Sequence, residues 1–206
     1  MNKDWTGNSR SYASVLGARN FALEEREEHD YYATDPSSLE KYLEALKRDH
    51  ITLDINIWEC ACGEGHLSKL LESKGYRVKS TDLIDRGYGE GGIDFINTQT
   101  KWGGYILTNP PYKYAKEFVE HSLELIEENN YVIMFLKLQF LEGKARRKLF
   151  DKKQLKYVYV FSERQRCAMN GDFSKYTNNG GIHGAVAYCW FMWQKGFKGE
   201  PIIRWI

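Results

Sequence analysis

The sequence has few of the features that mark secreted or metal-binding proteins. Its four cysteines form no C-x-x-C pair, and no group of histidine, cysteine and carboxylate residues has metal-ligand spacing. The first residues contain no apolar core of a signal peptide. We therefore expect no bound metal and free thiols in a reducing cytoplasm, at Cys60, Cys62, Cys167 and Cys189.

Long hydrophobic runs are also missing. The longest, at residues 131–136 and 185–193, are about half the length of a membrane-spanning helix, so they predict buried strands and no membrane partner. With 206 residues and 42% hydrophobic content, the chain can bury one substantial core. The sequence predicts one domain over residues 31–206, preceded by an arm or poorly ordered tail over residues 1–30.

Charge is distributed unevenly along the chain, although the net charge is only +1. Between Lys137 and Lys175 there are 11 lysines and arginines against 4 acidic residues, and the rest of the chain carries a net −6. A basic face on an acidic body suits a polyanionic partner. The alternative is that the basic residues around 144–148 are only the solvated side of a helix.

A strand at residues 55–58 leads into a turn with Gly63 and Gly65, followed by a helix over residues 66–74. Two glycines do not make the G-x-G-x-x-G of dinucleotide binders, so a nicotinamide site is less favoured. Asp82 follows the next strand, where a carboxylate can accept hydrogen bonds from two ribose hydroxyls. Asp94 can bond an adenine amino group while Phe95 packs against the ring, although an ordinary cap role for Asp94 is equally open.

The tetrapeptide Asn109-Pro110-Pro111-Tyr112 follows an apolar strand at residues 105–108. Its prolines make the backbone stiff. The Asn109 side-chain oxygen and the Pro110 carbonyl can accept both N–H groups of an exocyclic amine, and Tyr112 offers a flat face. Pro-Pro-Tyr alone would favour a structural turn, but the asparagine after an apolar strand, downstream of a cofactor-like turn, favours an amine site.

The remaining pattern alternates helices and strands. Helices are predicted from Pro36, over residues 114–128 and over residues 143–151, and further strands at 76–80, 131–136, 157–161, 185–193 and 201–206. This pattern predicts an α/β fold: a mostly parallel seven-stranded sheet with helices on both faces and a late antiparallel strand. A long loop at 162–184 mixes basic and aromatic residues suited to phosphates and unstacked bases, or is a surface excursion; it contains Arg164, Arg166, Phe173 and Lys175.

The order of these motifs resembles one enzyme family. Tyr-Tyr-Ala-Thr-Asp-Pro, Glu-Cys-Ala-Cys-Gly-Glu-Gly, Asp82, Asp94-Phe95 and Asn-Pro-Pro-Tyr together are similar to S-adenosylmethionine-dependent amino-methyltransferases of the DNA N6-adenine type, with small stand-alone phage and prophage enzymes nearest in form. The resemblance covers roughly Tyr31 to Trp193. It implies a single Rossmann-like class I methyltransferase domain.

The resemblance also implies roles for individual residues. Asp82 would bind the cofactor's ribose and Asp94 and Phe95 its adenine, while Asn109, Pro110, Pro111 and Tyr112 would hold the target base and Lys113 would contact the substrate. The rest of the S-adenosylmethionine pocket would consist of Tyr31, Tyr32, Thr34, Glu59, Cys62, Gly63 and Gly65. One departure is Cys60, where related sequences usually have proline.

Three readings of the function stay open. DNA adenine methylation is favoured, and the chain leaves little room for a separate target-recognition domain. The same tetrapeptide also fits adenine in RNA or a glutamine amide in a protein, although the glutamine enzymes carry an additional helical domain. A non-catalytic binding protein is disfavoured because it would not need Gly63, Gly65, Asp82 and Asn109 together.

Overall fold

The computed structural model describes residues 32–165, 167–169 and 186–206, with only the backbone described for Tyr32 and residues 167–169. The predicted arm over residues 1–30 lies outside this part of the chain, as do Tyr31, Arg166, Phe173 and Lys175. No helix in the described part is long and apolar enough to cross a membrane.

The described chain forms nine strands and four α-helices. The strands are β1 (Tyr32–Thr34), β2 (Asn56–Glu59), β3 (Arg77–Ser80), β4 (Tyr105–Thr108), β5 (Tyr131–Lys137), β6 (Leu155–Val160), β7 (Cys167–Met169), β8 (Tyr188–Gln194) and β9 (Ile202–Trp205). The helices are α1 (Pro36–Arg48), α2 (His66–Ser73), α3 (Ala115–Leu125) and α4 (Arg147–Asp151). Short 3-10 helices occupy Phe95–Asn97, Tyr112–Tyr114, Leu138–Leu141 and Lys144–Arg146.

Seven strands form one sheet in the order β3-β2-β4-β5-β8-β6-β9. Six of them run in the same direction, and β8 is antiparallel to both of its neighbours, β5 and β6. The predicted α/β fold, with a mostly parallel seven-stranded sheet and one late antiparallel strand, is therefore confirmed. Strands β1 and β7 form a separate antiparallel pair.

Both faces of the sheet are apolar, because side chains of the buried strands alternate between two cores. In β5, Val132, Met134 and Leu136 belong to one core, while Ile133 and Phe135 belong to the other. Helix α3 covers the first core and helices α1 and α2 cover the second. This arrangement explains why β5 and β8 read as continuous hydrophobic runs in the sequence.

Helix α1 begins where the sequence predicts. Asp35 is its N-cap and accepts a hydrogen bond from the Ser37 amide at 2.9 Å, and Pro36 occupies the first turn.

Two predicted helices are shorter than expected. The helix predicted to reach residue 128 ends at Leu125, because Ile126 is extended and bridges Trp102. The helix predicted over residues 143–151 is a 3-10 turn followed by the five-residue α4. Its turn is tight because the Arg146 side chain folds back onto the carbonyls of Phe140 and Gln139.

The central strands β2 and β4 approach each other closely at Gly104. A Cβ atom added there would lie 2.2 Å from the Asn56 carbonyl oxygen and 2.9 Å from its carbonyl carbon. At the neighbouring Gly103 the nearest atom would be 3.9 Å away, which is an ordinary contact. Gly104 thus permits β4 to pair with β2, with Ile57 opposite Tyr105.

A buried polar chain connects β2, α2 and β3. The Glu59 carboxyl, 2% exposed, accepts a hydrogen bond from the Ser68 hydroxyl, which in turn accepts one from the Ser80 hydroxyl at 2.8 Å. Burial raises the pKa of Glu59 from 4.5 to about 8, because desolvation outweighs the hydrogen bond from Ser68 that favours the charged form. The carboxyl is therefore largely protonated at neutral pH in the free protein.

We expect Gly104→Ala to lower the free energy of unfolding by about 1–3 kcal/mol, because the new methyl group meets backbone atoms that cannot rotate away. Gly103→Ala is the matched control and should change stability by less than about 0.5 kcal/mol. Urea unfolding of both variants measures the difference. Equal stability of the two variants would contradict the close approach.

The pH dependence of stability should change in Glu59→Gln. Between pH 4.5 and about 8 the folded protein keeps a proton that the unfolded chain loses, so wild-type stability falls as pH rises through this range. Glutamine does not titrate and removes this pH dependence. Between pH 5 and pH 8, the free energy of unfolding of the variant should therefore rise by on the order of 2–4 kcal/mol relative to that of wild type. Urea unfolding at several pH values tests this; the exposed Glu44→Gln should follow wild type, and a parallel profile for Glu59→Gln would be inconsistent with a buried protonated carboxyl.

Candidate active site

A cavity of about 1120 Å³ lies at the carboxyl ends of β2, β3, β4 and β5. This is the edge of a parallel sheet at which α/β proteins bind ligands. Most of the sequence-predicted site residues of the described chain line it: Thr34, Glu59, Cys62, Asp82, Asp94, Phe95, Asn109, Pro110, Pro111, Tyr112 and Lys113.

The turn after β2 depends on two glycines with left-handed backbones. Gly63 has φ 54° and Gly65 has φ 78°, and Gly65 is the N-cap of α2. A Cβ on Gly65 would lie 2.2 Å from the Tyr88 ring, which packs directly against it. The Tyr88 hydroxyl donates to Glu72 at 3.1 Å, and the Lys69 ammonium lies 4.8 Å from the ring centroid. Sequence analysis missed this role of Tyr88.

Asp82 joins the end of β3 to that glycine turn. One carboxylate oxygen accepts the Gly63 amide at 2.8 Å, and the other accepts the Ile84 amide at 2.9 Å. Each carboxylate oxygen has about two acceptor positions, so these contacts leave capacity for ligand hydroxyls. The two amides hold the carboxylate in a fixed orientation at the cavity wall.

Thr34 contributes a buried hydroxyl to the cavity. Its residue is 3% exposed, and its Oγ1 has no hydrogen-bond partner among the residues that the structure describes. Buried hydroxyls without a partner are rare because their desolvation is costly, so a polar ligand group at this position would restore the balance. Pairing of β1 with β7 places the backbone of Thr34 opposite that of Cys167.

The cysteines of the turn do not have the properties of nucleophiles. Burial raises the pKa of the Cys62 thiol to about 12, with further contributions from Glu59 and Asp82. Burial raises the pKa of Cys60 as well. Both thiols are therefore protonated at neutral pH, whereas a reactive cysteine needs a thiolate.

Asp94 and Phe95 serve the local fold as well as the cavity. The Asp94 carboxylate accepts the Ile96 amide at 3.1 Å and the Asn97 side chain at 2.7 Å, which is the cap role left open by the sequence. Phe95 is 2% exposed and packs edge-on against Trp58 with ring centroids 5.3 Å apart. Its ring is therefore mostly part of the core, with one edge at the cavity.

The tetrapeptide lies directly after β4 and continues into a 3-10 turn. The Pro111 carbonyl accepts the Tyr114 amide at 2.9 Å, which fixes the direction of the chain beyond the prolines. The Tyr112 ring is partly buried, with its centroid 6.0 Å from that of Tyr188. Tyr188 in turn stacks on Phe135 at 5.1 Å with an interplanar angle of 11°. The predicted aromatic face is thus supported by the core.

The predicted substrate-binding residues separate in the structure. Lys113 is exposed at the cavity, with its ammonium 5.1 Å from the Tyr114 ring centroid. Arg164 is exposed and does not line the cavity.

Sequence analysis did not identify Lys137, Phe140 or Arg146 as cavity residues. Lys137 is the last residue of β5, so its position at a strand's carboxyl end was the signal that could have revealed it.

The charges around the cavity are divided between its two halves. The carboxylates Asp82 and Asp94 lie on the side of β2 and β3, together with the largely protonated carboxyl of Glu59. Three of the four lysine and arginine residues lie on the side of β4 and β5, at Lys113, Lys137 and Arg146, and Arg86 lies on the acidic side. Within the described ranges, no group of three histidine, cysteine or acidic residues could hold a metal ion.

Comparison with known proteins gives structural matches only. No family profile matches the chain, and no curated protein sequence matches it. The chain resembles a type I restriction-modification methyltransferase subunit from Streptococcus thermophilus with a TM-score of 0.58 and 13% identity, over 97% of this chain and 53% of that one. It therefore spans about half of that subunit.

Two other solved structures match over nearly their whole length. A protein provisionally named a hemolysin, from Lactococcus lactis, has a TM-score of 0.56 and 15% identity over 89% of this chain and 95% of that one. A provisionally named RNA methyltransferase from Pyrococcus horikoshii has a TM-score of 0.56 and 11% identity over 91% of this chain and 100% of that one. The chain therefore has the Rossmann-like fold that methyltransferase structures share.

Proposed function

We propose that this protein transfers a methyl group from S-adenosylmethionine to the exocyclic N6 amine of adenine in DNA. The observation that carries the proposal is the convergence of two motifs in one cavity. Cys62 of the glycine turn, Asp82 and the Asn109-Pro110-Pro111-Tyr112 segment follow three adjacent parallel strands, β2, β3 and β4, and line the same space of about 1120 Å³.

The cofactor half of the cavity has groups that fit S-adenosylmethionine. Asp82 is oriented by two backbone amides and keeps acceptor capacity for the ribose hydroxyls, and Thr34 offers a buried hydroxyl. A cationic amino group next to Glu59 would lower the pKa of its carboxyl, so that Glu59 could ionise when such a ligand binds. S-adenosylmethionine, once bound, supplies an electrophilic methyl group on a sulfonium. An acidic half of the cavity suits a ligand with positive charges.

The target half has acceptors and an aromatic face. Asn109 and the Pro110 carbonyl would accept the two N–H groups of the amine, and Tyr112 would stack on the ring. The amine is a poor nucleophile because its lone pair is delocalised into the ring, and acceptors on both N–H groups favour a pyramidal nitrogen. The nitrogen forms its bond to the methyl carbon as the carbon–sulfur bond breaks, sulfur keeps the electron pair, and the amine then loses a proton to water.

This chemistry requires positioning more than reactive side chains. The protonated thiols of Cys60 and Cys62 are not needed, because the transfer is direct. Effective orientation of two reactants contributes about 7–11 kcal/mol to lowering a barrier, and fixed dipoles at the developing charge contribute several more. A base in a duplex would have to leave the stack, at a cost of a few kcal/mol that Tyr112 would partly offset.

A polyanionic substrate is favoured over a protein amide by the basic half of the cavity. Lys113 directly follows the tetrapeptide, and Arg146 lines the same cavity. Arg146 is flanked in sequence by the exposed basic residues Lys144, Arg147 and Lys148. Phosphates on either side of a target nucleotide would meet these cations. A glutamine side chain in a protein would bring no comparable charge.

RNA is the second candidate substrate. The structural neighbour from Pyrococcus horikoshii is named as an RNA methyltransferase, and the likeness extends over its full length. The basic surface and the amine site fit adenine in either nucleic acid, whereas the restriction-modification neighbour is a DNA-modifying system by name.

Transfer of radiolabelled methyl to unmethylated duplex DNA, single-stranded DNA and structured RNA, in parallel, tests the proposal. We expect label in DNA as N6-methyladenine, and a loss of roughly 100-fold or more in kcat for Asn109→Ala, because one acceptor at the reacting amine is removed.

Asn109→Asp is the conservative control, since it keeps an acceptor oxygen and should retain more activity than alanine. Calorimetric titration with S-adenosylhomocysteine separates catalysis from folding, because Asn109→Ala should bind it as wild type does. Label in RNA alone would transfer the function to the second candidate. Cofactor binding without label in any nucleic acid would refute both.

A further inference from the structure

Lys137 is a basic residue of the candidate active site that the mechanism above does not use. It is the last residue of β5, partly buried, and lines the cavity beside the tetrapeptide. Its ammonium makes no ion pair with a carboxylate in the described ranges of the chain.

The contact that Lys137 does make is with the aromatic ring of the tetrapeptide. Its Nζ lies 4.7 Å from the centroid of the Tyr112 ring. Stacked aromatic rings keep their centroids about 4.5–7 Å apart. The distance of the ammonium from the Tyr112 centroid lies in the same range, so the ammonium and a stacked base would compete for the space over that ring. In the free protein, the cation–π contact holds both side chains in place.

The position of Lys137 is set by the sheet. In the antiparallel pairing of β5 with β8, Lys137 lies directly opposite Tyr188, so both side chains leave the same face of the sheet. Tyr188 packs against Tyr112 as well, with ring centroids 6.0 Å apart. The backbone of Lys137 is therefore fixed, while its four-carbon side chain lets the ammonium move over a few ångströms.

In the proposed pose, the tetrapeptide directs two acceptors at the amine of a target base. Asn109 and the Pro110 carbonyl suit the two N–H groups of an amine, but the ring nitrogens next to that amine in adenine, N1 and N7, are acceptors and need a donor. A base that stacks on Tyr112 must move the ammonium from the ring face to the edge of the base. There, Lys137 is a donor with no competing carboxylate in the described structure.

We propose that Lys137 donates a hydrogen bond to the N1 or N7 atom of the adenine that stacks on Tyr112, and thereby acts as a specificity-determining residue of the target site. The inference rests on the proposed adenine methylation. It adds a donor to the two acceptors, so that the site matches an amine next to a ring nitrogen. Guanine is disfavoured, because its O6 would face the acceptors of the tetrapeptide.

A cycle that changes both the enzyme and the substrate tests this contact. Wild type and Lys137→Met are compared on oligonucleotides that carry adenine, 1-deazaadenine or 7-deazaadenine at the position methylated by wild type. We expect Lys137→Met to reduce kcat/KM for adenine roughly 10- to 100-fold, the range for a lost hydrogen bond to a charged donor. With wild type, one deaza analogue should show a kcat/KM lower than that of adenine by a similar factor. With Lys137→Met, the same analogue should be methylated almost as efficiently as adenine, because the contact is already missing.

Controls separate this contact from a structural role. Lys47→Met removes the same charge from an exposed site on α1, away from the cavity, and should behave as wild type. Lys137→Arg should restore part of the activity, and Lys137→Met should bind S-adenosylhomocysteine normally.

If the loss from Lys137→Met and the loss from the deaza substitution multiply for both analogues, the lysine and the ring nitrogen act independently and the contact is overturned. Full activity of Lys137→Met would also overturn it. If wild type methylates no adenine at all, the proposed function falls and this inference falls with it.

Discussion

The parallel pairing of β2 with β4 is the constraint on which the site depends. It places the end of one strand, with Glu59 and the glycine turn, beside the end of the other, with Asn109. The chain accomplishes this pairing through the close approach at Gly104, where no side chain larger than hydrogen fits without displacement of the backbone. Because β3 and β5 flank this pair, the same edge also collects Asp82 and Lys137. One pairing in the centre of the sheet thus assembles residues from four strands.

Rigidity of the cofactor half follows from contacts that the protein makes before any ligand binds. Asp82 is held by two amides, and the Gly65 backbone lies against the Tyr88 ring. These contacts limit rearrangement of the turn, so little ordering free energy is lost when a ligand binds. Glu59 differs, because burial raises its pKa to about 8 and keeps its carboxyl largely protonated at neutral pH. Its burial lowers the stability of the free protein at higher pH.

The sequence predicted the fold better than it predicted which residues line the cavity and what each of them contacts. Strand β4 was predicted with its observed ends and helix α1 begins at the predicted Pro36, because apolar runs and prolines act locally. The helix predicted over residues 143–151 was wrong in length, since its first turn is a 3-10 helix and Arg146 bonds to carbonyls of the preceding segment, which the helical pattern does not reveal. Lys137 appeared in the sequence only as one of many cations. Its contact with Tyr112 depends on the parallel pairing of β4 with β5, which local sequence patterns do not specify.

The aromatic face of the target half is an extension of the core. Tyr112 leans on Tyr188, Tyr188 stacks on Phe135, and Phe135 meets Trp190 edge-on at 5.1 Å. A loop that carried Tyr112 alone would lose conformational entropy whenever a ring stacked on it. Here the packed rings beneath it have already fixed that side chain, and the Lys137 ammonium covers it from the cavity side. The conformational entropy of the Tyr112 side chain is therefore lost during folding and not on binding. A planar ligand has only to displace the ammonium of Lys137.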